Sequence, residues 1–352
     1  MDSFRSAIES AYRNAVLGDL SAAASDISRI RSRWPIENQP RDAVEVMLVE
    51  GIIHIYAGRI ADAIDRFRRV IAIGVAIRDG NLASLGRGWL ALVLYNEWKV
   101  LEASEMLAQA LGEVDAMQPR AILRVSTVQG LLCEYAGFAQ AAVEWMNAAR
   151  IAAQRVAIPG VMSSIIYDIA VAAIDSATFR QLSGRLDDAQ ARQLLLRVRS
   201  AINYDIGSGA KIQSGLHMLT LGTTLNICGE YGEAERHLVG YLQVMPDARL
   251  ADRVRASVEL AIAQVGSGAP RPAPAVVRAI EEGLEVLVEP VERALALNVL
   301  AQELERSGLL EESLARRSAM QSEMARREQI AVALRASIEA SSMMLPPRQW
   351  IN

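Results

Sequence analysis

The residue types that most often perform chemistry are scarce in this chain. Its three histidines, His54, His217 and His237, share no ligand spacing with one another or with the two cysteines, Cys133 and Cys228. A zinc site draws on such ligands at short, regular spacings, so the sequence predicts no metal centre. No Gly-x-Ser-x-Gly motif occurs, and no histidine stands beside an obvious nucleophile. Catalysis by a Ser-His-Asp arrangement is therefore not favoured.

Two glycine-rich segments resemble nucleotide-binding loops in composition only. "GRGWLA", which starts at Gly86, fits a loose G-x-G-x-x-A pattern, but it follows no predicted strand and lies inside a predicted helix. "GSGAK", at 207–211, lacks the spacing of a P-loop and the Ser or Thr after its Lys. We therefore expect no cofactor. Cys133 lies in an apolar helical stretch, which is typical of a small buried hydrophobe rather than of a reactive thiol.

Composition excludes several classes of protein. At 352 residues the chain exceeds the usual size of one compact domain, so it forms either two domains or an elongated array. A net charge of -4 gives no general attraction for nucleic acid or anionic lipid. Two cysteines exclude a disulfide scaffold, and the N-terminus lacks the apolar core of a signal peptide. The charge-free run 156–167 is too short to span a bilayer. We expect a cytoplasmic protein with no membrane contact and no direct nucleic-acid binding.

A turn residue followed five positions later by a small residue recurs along the whole chain. Successive turn residues are separated by 40, 40, 39, 47, 45, 39 and 40 positions, which is a repeat signature. The pairs are Gly18/Ala23, Gly58/Ala63, Trp98/Ala103, Gly137/Ala142, Gly184/Ala189, Gly229/Ala234, Gly268/Ala273 and Gly308/Ser313.

A second small position supports the repeat. The residue twelve positions before each of those small residues is Ala11, Gly51, Ala91, Gly130, Ala177, Gly222, Ala261 and Ala301. Small residues on both helices of an antiparallel pair let the two backbones approach closely. Four residues after the second small position stands a mostly bulky residue, as facing at i, i+4 requires. These residues are Ile27, Phe67, Leu107, Met146, Gln193, Leu238, Val277 and Arg317.

This combination of spacings resembles the tetratricopeptide repeat (TPR) over nearly the whole chain. The period of about 40 residues is longer than the common form. It is similar to the regulatory TPR domains of maltose-regulator-type transcription activators and of Rap-type peptide-binding regulators. The departures are Trp98 in place of a turn glycine, Gln193 and Arg317 in place of the bulky residue, and the absence of the bulky aromatic early in the first helix.

The resemblance implies an all-α fold, an α-α superhelix of about eight helical hairpins with a long C-terminal helix. It also implies that ligands bind in a concave groove formed by the first helices of the hairpins. Transfer of the groove positions gives an apolar wall at Leu48, Ile52, Ile55 and Leu92, followed by a polar one. The candidate ligand-binding residues are Tyr95, Arg124, Thr127, Leu131, Glu134, Thr178, Gln181, Thr223, Asn226, Arg255, Asn298 and Gln302.

The chemistry of these polar residues suits a peptide. Carboxamides such as Asn226, Asn298 and Gln302 donate and accept hydrogen bonds at once, while Arg124 or Arg255 can clamp a carboxylate. The alternatives are that the polar residues pair with one another and that the apolar wall packs closed.

The organisation along the chain is predicted as a repeat array at 1–312, a long helix at 313–345 and a tail at 346–352. The two long repeat intervals place extra residues around Pro159 and Gly207, so we expect a flexing point within 157–210. The last helix is predicted from Leu309 to Met343, before Pro346. Its apolar positions, with Arg327 among them, allow three roles: a capping helix, a coiled-coil homodimer or a linker. They are Met320, Met324, Ala331, Leu334 and Ile338.

Three functions remain open at the level of sequence. The first is a non-enzymatic regulatory module of a bacterial type, which recognises a peptide, a protein segment or a small signal in its groove. The second is the sensor portion of a larger signalling protein, such as a transcription activator or a diguanylate cyclase, without its output domain. The third is a groove-based enzyme such as a phosphatase.

Overall fold

The structure, a computed structural model, describes residues 3–36, 39–113, 115, 117–208, 215–341 and 343–351. Within these ranges the regular elements are helices and no strand occurs, so the predicted all-α class is confirmed. Part of the glycine-rich segment 207–211 lies outside the described residues. The helices are α1 (Phe4–Val16), α2 (Leu20–Arg33), α3 (Pro40–Tyr56), α4 (Ile60–Ala76), α5 (Gly80–Asn96), α6 (Val100–Leu111), α7 (Pro119–Ala136), α8 (Ala139–Val156), α9 (Pro159–Leu182), α10 (Asp188–Ser208), α11 (Leu216–Ile227), α12 (Tyr231–Val244), α13 (Leu250–Gly266), α14 (Pro274–Gly283), α15 (Pro290–Arg306), α16 (Leu310–Ala340) and α17 (Arg348–Ile351).

Helices α1 to α16 form eight successive pairs, and the predicted turn residues stand between the two members of each pair. All eight have a positive φ, from 58° at Trp98 to 108° at Gly268. A left-handed residue just after a helix satisfies the last carbonyls and reverses the chain. These are TPR-like helical hairpins, as the repeat predicts.

Trp98 shows how a bulky residue tolerates this backbone conformation. A non-glycine residue in the left-handed region costs about 1–2 kcal/mol. The Trp98 ring lies 6.0 Å, centroid to centroid, from Tyr95 and also 6.0 Å from Tyr135. Aromatic pairs contribute about 0.5–1.5 kcal/mol each beyond their buried area, which is enough to offset the backbone cost.

The first small position of each hairpin is buried in every copy, from Ala11 to Ala301. At Gly51, an added Cβ would lie 2.6 Å from a ring carbon of Phe67, and at Gly222 it would lie 2.6 Å from Cγ of Leu238. The bulky residue of the second helix thus fills the space left by the small residue of the first. This contact explains why the two positions recur together.

Two of the predicted small positions are not in this packing. Ala189 and Ala273 are exposed, because the second helices of their hairpins begin late, at Asp188 and Pro274. In α10 the buried place is taken by Ala191, which is 5% exposed. A longer turn after the glycine moves the helix start, and the fixed five-residue spacing then no longer applies.

The chain divides into two compact units. Unit one comprises residues 1–166, 205–212 and 332–352, and unit two comprises residues 167–204 and 213–331. Unit one packs around the fully buried rings of Tyr12, Phe67, Trp89 and Trp145. The divisions at 166/167 and 204/205 fall within the 157–210 stretch, where flexing stays a prediction.

The cores of unit two are mainly aliphatic, with one buried tyrosine. One contains Leu225, Leu238, Tyr241 and Leu260. Another contains Val258, Ile280, Leu284, Leu297 and Leu300. Both include residues of α13, so this helix is packed on several sides and is well suited to hold a site in place.

The C-terminal part of the chain is packed within unit one. Gln129 Nε2 and Trp145 Nε1 both donate to the carbonyl oxygen of Met343, at 3.1 and 3.0 Å. The ring of Trp350, on α17, meets the ring of Trp145 edge-on at 6.1 Å. Arg335 Nε donates to the carbonyl oxygen of Ala136 at 2.6 Å. The stretch predicted as a tail therefore includes a short helix that packs on α8.

The long C-terminal helix exists as one element of 31 residues, α16, and ends a few residues before its predicted end. Ala331, Leu334 and Ile338 are fully buried within the chain, and Met320 and Met324 are half-buried. The guanidinium of Arg327 lies 4.2 Å from the ring centroid of Phe179. Three of the five predicted coiled-coil positions are thus covered intramolecularly. A homodimer through this helix stays a prediction.

One segment passes a length and composition test for crossing a membrane. It is Gly160–Leu182, whose apolar window has a mean hydropathy of 1.4. Half of that window is buried inside the protein, as in the core helix of a helical bundle. The segment also carries Asp175, which pairs with Arg255 in unit two.

Candidate functional site

The predicted groove residues of unit one are mostly taken up in packing. Arg124 is 8% exposed, and its guanidinium stacks 3.7 Å from the ring centroid of Trp89. Thr127 is 1% exposed and donates to the carbonyl oxygen of Leu123 at 2.8 Å; Leu131 is 3% exposed. These three side chains do not form an open wall.

The remaining predicted residues of unit one are half-buried. They are Tyr95, whose ring contacts Trp98, and Glu134. The apolar wall is closed as well, because Leu48 and Ile52 are fully buried. For this part of the chain, the alternative of a self-packed surface describes the structure.

Asn226 and Thr223, on α11, are buried in unit two. Asn226 Nδ2 donates both to the Glu259 carbonyl oxygen, at 2.8 Å, and to Glu259 Oε2, at 2.7 Å. The Asn226 side chain therefore joins α11 to α13. It supports a neighbouring polar cluster and is not itself on an open surface, being 3% exposed.

That cluster brings acidic side chains from three helices around Arg255. Arg255 Nη1 lies 2.9 Å from Glu292 Oε1 on α15, and Nη2 lies 3.4 Å from Asp175 Oδ1 on α9. Glu259 follows Arg255 by one helical turn on α13. We call Asp175, Arg255, Glu259, Glu289 and Glu292 the acidic cluster. Among the residues that line this site there are thus four carboxyl groups and one guanidinium, which pairs with two of them.

The start of α15 fixes two members of the cluster. Glu289 is the N-cap residue, and its Oε2 accepts from the backbone N–H of Glu292. Pro290 occupies the first helical position, where its missing N–H has no cost. A carboxylate at a helix N-terminus is further favoured by the helix dipole. The sequence "EPVE" therefore holds both carboxyl groups at the same end of the helix.

Burial perturbs the acids of this cluster. It raises the pKa of Asp175 to about 7, against the opposing effect of Arg255. Burial also raises the pKa of Glu289, Glu292 and Glu259, and for Glu289 the neighbouring Glu292 and Asp175 add to the increase. Removal of a carboxylate from water disfavours its charged form. The cluster thus holds protons in a range where ordinary carboxyl groups are ionised.

A small cavity lies within the acidic cluster. Its volume is about 10 Å³, and it is lined by the five cluster residues, Thr178, Val258, Val291 and Leu295. Such a volume holds about one water-sized group. Thr178 is oriented by its own hydrogen bond to the carbonyl oxygen of Ile174, at 3.0 Å.

A larger cleft lies along the same helices. Its volume is about 410 Å³, and three predicted residues, Gln181, Asn298 and Gln302, line it. The rest of its wall is mainly apolar, with two polar side chains besides. These lining residues are Leu182, Tyr231, Ala261, Ile262, Val265, Gly266, Pro272, Leu295, Val299, Arg306 and Met320.

Tyr231 owes its position in the cleft to a glycine. A Cβ built on Gly266 would lie 2.3 Å from Cγ of the Tyr231 ring. Any side chain at residue 266 would therefore displace the ring. The Tyr231 ring packs against the backbone of α13 at Gly266, and it forms one side of the cleft.

The cavity and the cleft are parts of one site. Both are lined by residues of α9, α13 and α15, and Leu295 belongs to both. On α15, positions 292, 295, 298 and 302 follow one another at three- or four-residue spacing and so share a helix face. A change in the acidic cluster therefore acts on the helices that also form the cleft.

Sequence reasoning missed all four acids of the cluster and predicted only its arginine, Arg255. Asp175 stands three residues before the predicted Thr178, and Glu259 stands four residues after the predicted Arg255. Extension of each predicted groove face by one turn would have found both. Glu289 gave no such signal, because its burial depends on where the N-terminal end of α15 packs.

Cys133 behaves as a packing residue. It is fully buried, and burial raises the pKa of its thiol to about 12. The reactive form is the thiolate, so the environment opposes reactivity. Among the described residues, no group of three His, Cys, Asp or Glu side chains is placed to hold a metal ion.

Comparisons with known proteins find similarity among solved structures. No protein-family model matches the chain, and a search of curated proteins returns no match. Among solved structures, the chain is similar to the TPR domain of P58(IPK), solved as a crystal structure at 2.5 Å. That likeness has 14% sequence identity and a TM-score of 0.27, and it covers 94% of this chain and 98% of that chain.

Proposed function

We propose that this protein is a non-enzymatic interaction module that binds a segment of a partner protein in the cleft of unit two. We place this activity in the cytoplasm and in regulation, as the composition and the TPR resemblance suggest. The observation that carries the proposal is the row of carboxamides, Gln181, Asn298 and Gln302, over an apolar floor in a cleft of about 410 Å³.

The spacing of two carboxamides suits an extended peptide. Asn298 and Gln302 are at i, i+4 on α15, so their Cβ atoms lie about 5–6 Å apart. Two residues of an extended chain cover about 6.6–6.8 Å. Each carboxamide can donate to a peptide carbonyl and accept from a peptide N–H. The pair can therefore bond successive peptide groups on one edge of an extended segment.

The apolar floor provides affinity that the carboxamides alone would lack. Leu295, Val299, Ile262 and Met320 line it, and Tyr231 stands at its side. Burial of apolar surface contributes roughly 25 cal/mol per Å². Thioether and tyrosine side chains also adapt to varied partners. An extended segment with alternating apolar side chains fits this combination.

Selection from a phage-displayed library of random short peptides tests the proposal. The full-length protein is the bait, and bound peptides are remeasured by isothermal titration against two variants. In the double variant Asn298→Ala/Gln302→Ala, we expect the dissociation constant to rise at least about tenfold, equivalent to about 1.4 kcal/mol. Gln193→Ala, an exposed glutamine of α10 outside the cleft, is the matched control and should bind as the unmodified protein does.

Two outcomes count against the proposal. The first is that no peptide is selected by the full-length protein. The second is that selected peptides bind the double variant and the control equally well, which would place binding elsewhere on the molecule.

A further inference from the structure

The acidic cluster contains more carboxyl groups than basic groups. Arg255 is the one cation among the described residues that line its cavity, against the carboxyl groups of Asp175, Glu259, Glu289 and Glu292. Glu289 is 1% exposed, and while its Oε2 is capped by a backbone N–H, its Oε1 has no hydrogen-bond partner among the described residues. An orphaned buried acceptor of this kind destabilises the folded state, and it does so more strongly when it is charged.

The cavity next to that oxygen accepts a small donor. Its volume of about 10 Å³ corresponds to one water-sized group. An ammonium group is a compact point charge with three donors and no acceptor. A guanidinium group is a planar fork with five donors, and it is too wide for this space. The cavity therefore discriminates between the two basic side chains by size.

The cavity adjoins the cleft and is partly open to solvent. The side chains of Asp175, Arg255 and Glu292 are 22%, 22% and 21% exposed, so they form a rim that solvent touches. Leu295 lines both the cavity and the cleft. A long, flexible side chain from a segment in the cleft can therefore extend past Leu295 to the acidic cluster.

We propose that the segment bound in the cleft carries a lysine, and that its ammonium group enters the cavity between Asp175, Glu289 and Glu292. This inference rests on the proposed function and names the chemistry of the partner: an extended, apolar segment with one lysine. The ammonium supplies the donor that Glu289 Oε1 lacks, and it adds a second cation to the one guanidinium that lines the cavity.

Protonation of the cluster gives this interaction a dependence on pH. Burial raises the pKa of Asp175 to about 7, whereas a lysine keeps its proton up to about pH 10. As the pH rises from about 6 to about 8, Asp175 loses its proton and attracts the ammonium more strongly. The other charged groups that act on the cluster are Arg249, Asp252, Arg255, Glu259, Glu289, Glu292 and Arg327.

The test uses the peptides selected on the full-length protein. Each is resynthesised with its lysine replaced by norleucine or by arginine, and binding is measured by isothermal titration at about pH 8. We expect both replacements to raise the dissociation constant at least about tenfold. With Glu289→Gln or Asp175→Asn protein, the lysine and norleucine peptides should differ by less than about threefold. Glu281→Gln, an exposed acid outside the cluster, is the matched control and should keep the full preference.

The outcomes separate this inference from the proposed function. Peptides that depend on Asn298 and Gln302 but show no preference for lysine overturn the inference alone, and the cavity then holds water. Equal affinity of lysine and arginine peptides overturns it as well. Selection of no peptide overturns the proposed function and the inference with it. Circular dichroism melting shows whether the variants are folded; if both acid variants unfold, the lysine-to-norleucine comparison on unmodified protein decides.

Discussion

Gly222 and Gly232 differ in what a methyl group would meet. An added Cβ at Gly222, on α11, would lie 2.6 Å from Cγ of Leu238, which is fully buried. At Gly232, on α12, nothing lies within 4 Å of the same added atom. The two glycines therefore serve different purposes, one for packing between helices and one with no packing role.

This difference predicts opposite effects of the same substitution. Gly222→Ala should lower the free energy of unfolding, because overpacking costs about 1–3 kcal/mol and exceeds the gain in helix propensity of about 1 kcal/mol. Gly232→Ala should raise it by up to about 1 kcal/mol. Urea denaturation followed by circular dichroism measures both. Equal shifts in the two variants would contradict the close helix approach at Gly222.

Arg255 and Asn226 both have intramolecular partners that come from other helices. Arg255 was predicted as a clamp for a ligand carboxylate, and it already pairs with Glu292 and Asp175 of its own chain. Asn226 was predicted to contact a ligand and instead bonds Glu259. Both side chains have the predicted chemistry, but the partners come from neighbouring helices.

At the scale of elements, the C-terminal segment 343–351, which includes helix α17, packs within unit one. Met343 is held by two side-chain donors, and Trp350, which is 2% exposed, packs against Trp145. These contacts join residues about 200 positions apart, so only the folded chain creates them.

Loss of the Trp350 ring should loosen the packing of the C-terminal segment 343–351. Truncation of a buried aromatic side chain costs about 3–5 kcal/mol, so Trp350→Ala should speed amide hydrogen exchange across residues 343–351. Leu345→Ala is the matched control, because Leu345 is 61% exposed in the same segment. Exchange rates that are the same in the two variants would show that Trp350 does not hold the segment.

For the whole molecule, the acidic cluster sets how stability depends on pH. The folded state keeps a proton on Asp175 up to about pH 7, whereas an unfolded aspartate releases it near pH 3.9. Between these values the folded state binds more protons, so the free energy of unfolding falls as the pH rises. The stabilisation is fully present below about pH 4 and is lost once the pH exceeds about 7.

We therefore expect a lower melting temperature at about pH 8 than at about pH 5, with a difference of roughly a few kcal/mol in unfolding free energy. Calorimetric melting across this range measures it. Asp175→Asn should flatten the dependence, since the amide has no proton to release. A melting temperature that rises with pH in the unmodified protein would contradict the buried, protonated state of the cluster.

The sequence by itself determined the repeat. The turn glycines and the two small positions act within one hairpin, over twelve residues or fewer, so their spacing is visible in the chain. For the same reason Trp98 was placed correctly at a turn, and the long helix α16 was found from its lack of glycine and proline. Where a turn lengthened, as before Ala191, the fixed spacing failed.

Tertiary structure alone decided which of the predicted groove residues are available. Arg124 is covered because Trp89 of a neighbouring helix lies beneath it, whereas Asn298 and Gln302 remain on the wall of a cleft. The acidic cluster joins α9, α13 and α15, and Asp175 and Arg255 are 80 residues apart in the chain. Burial and charge balance depend on such distant neighbours, and the spacing of one repeat contains no information about them.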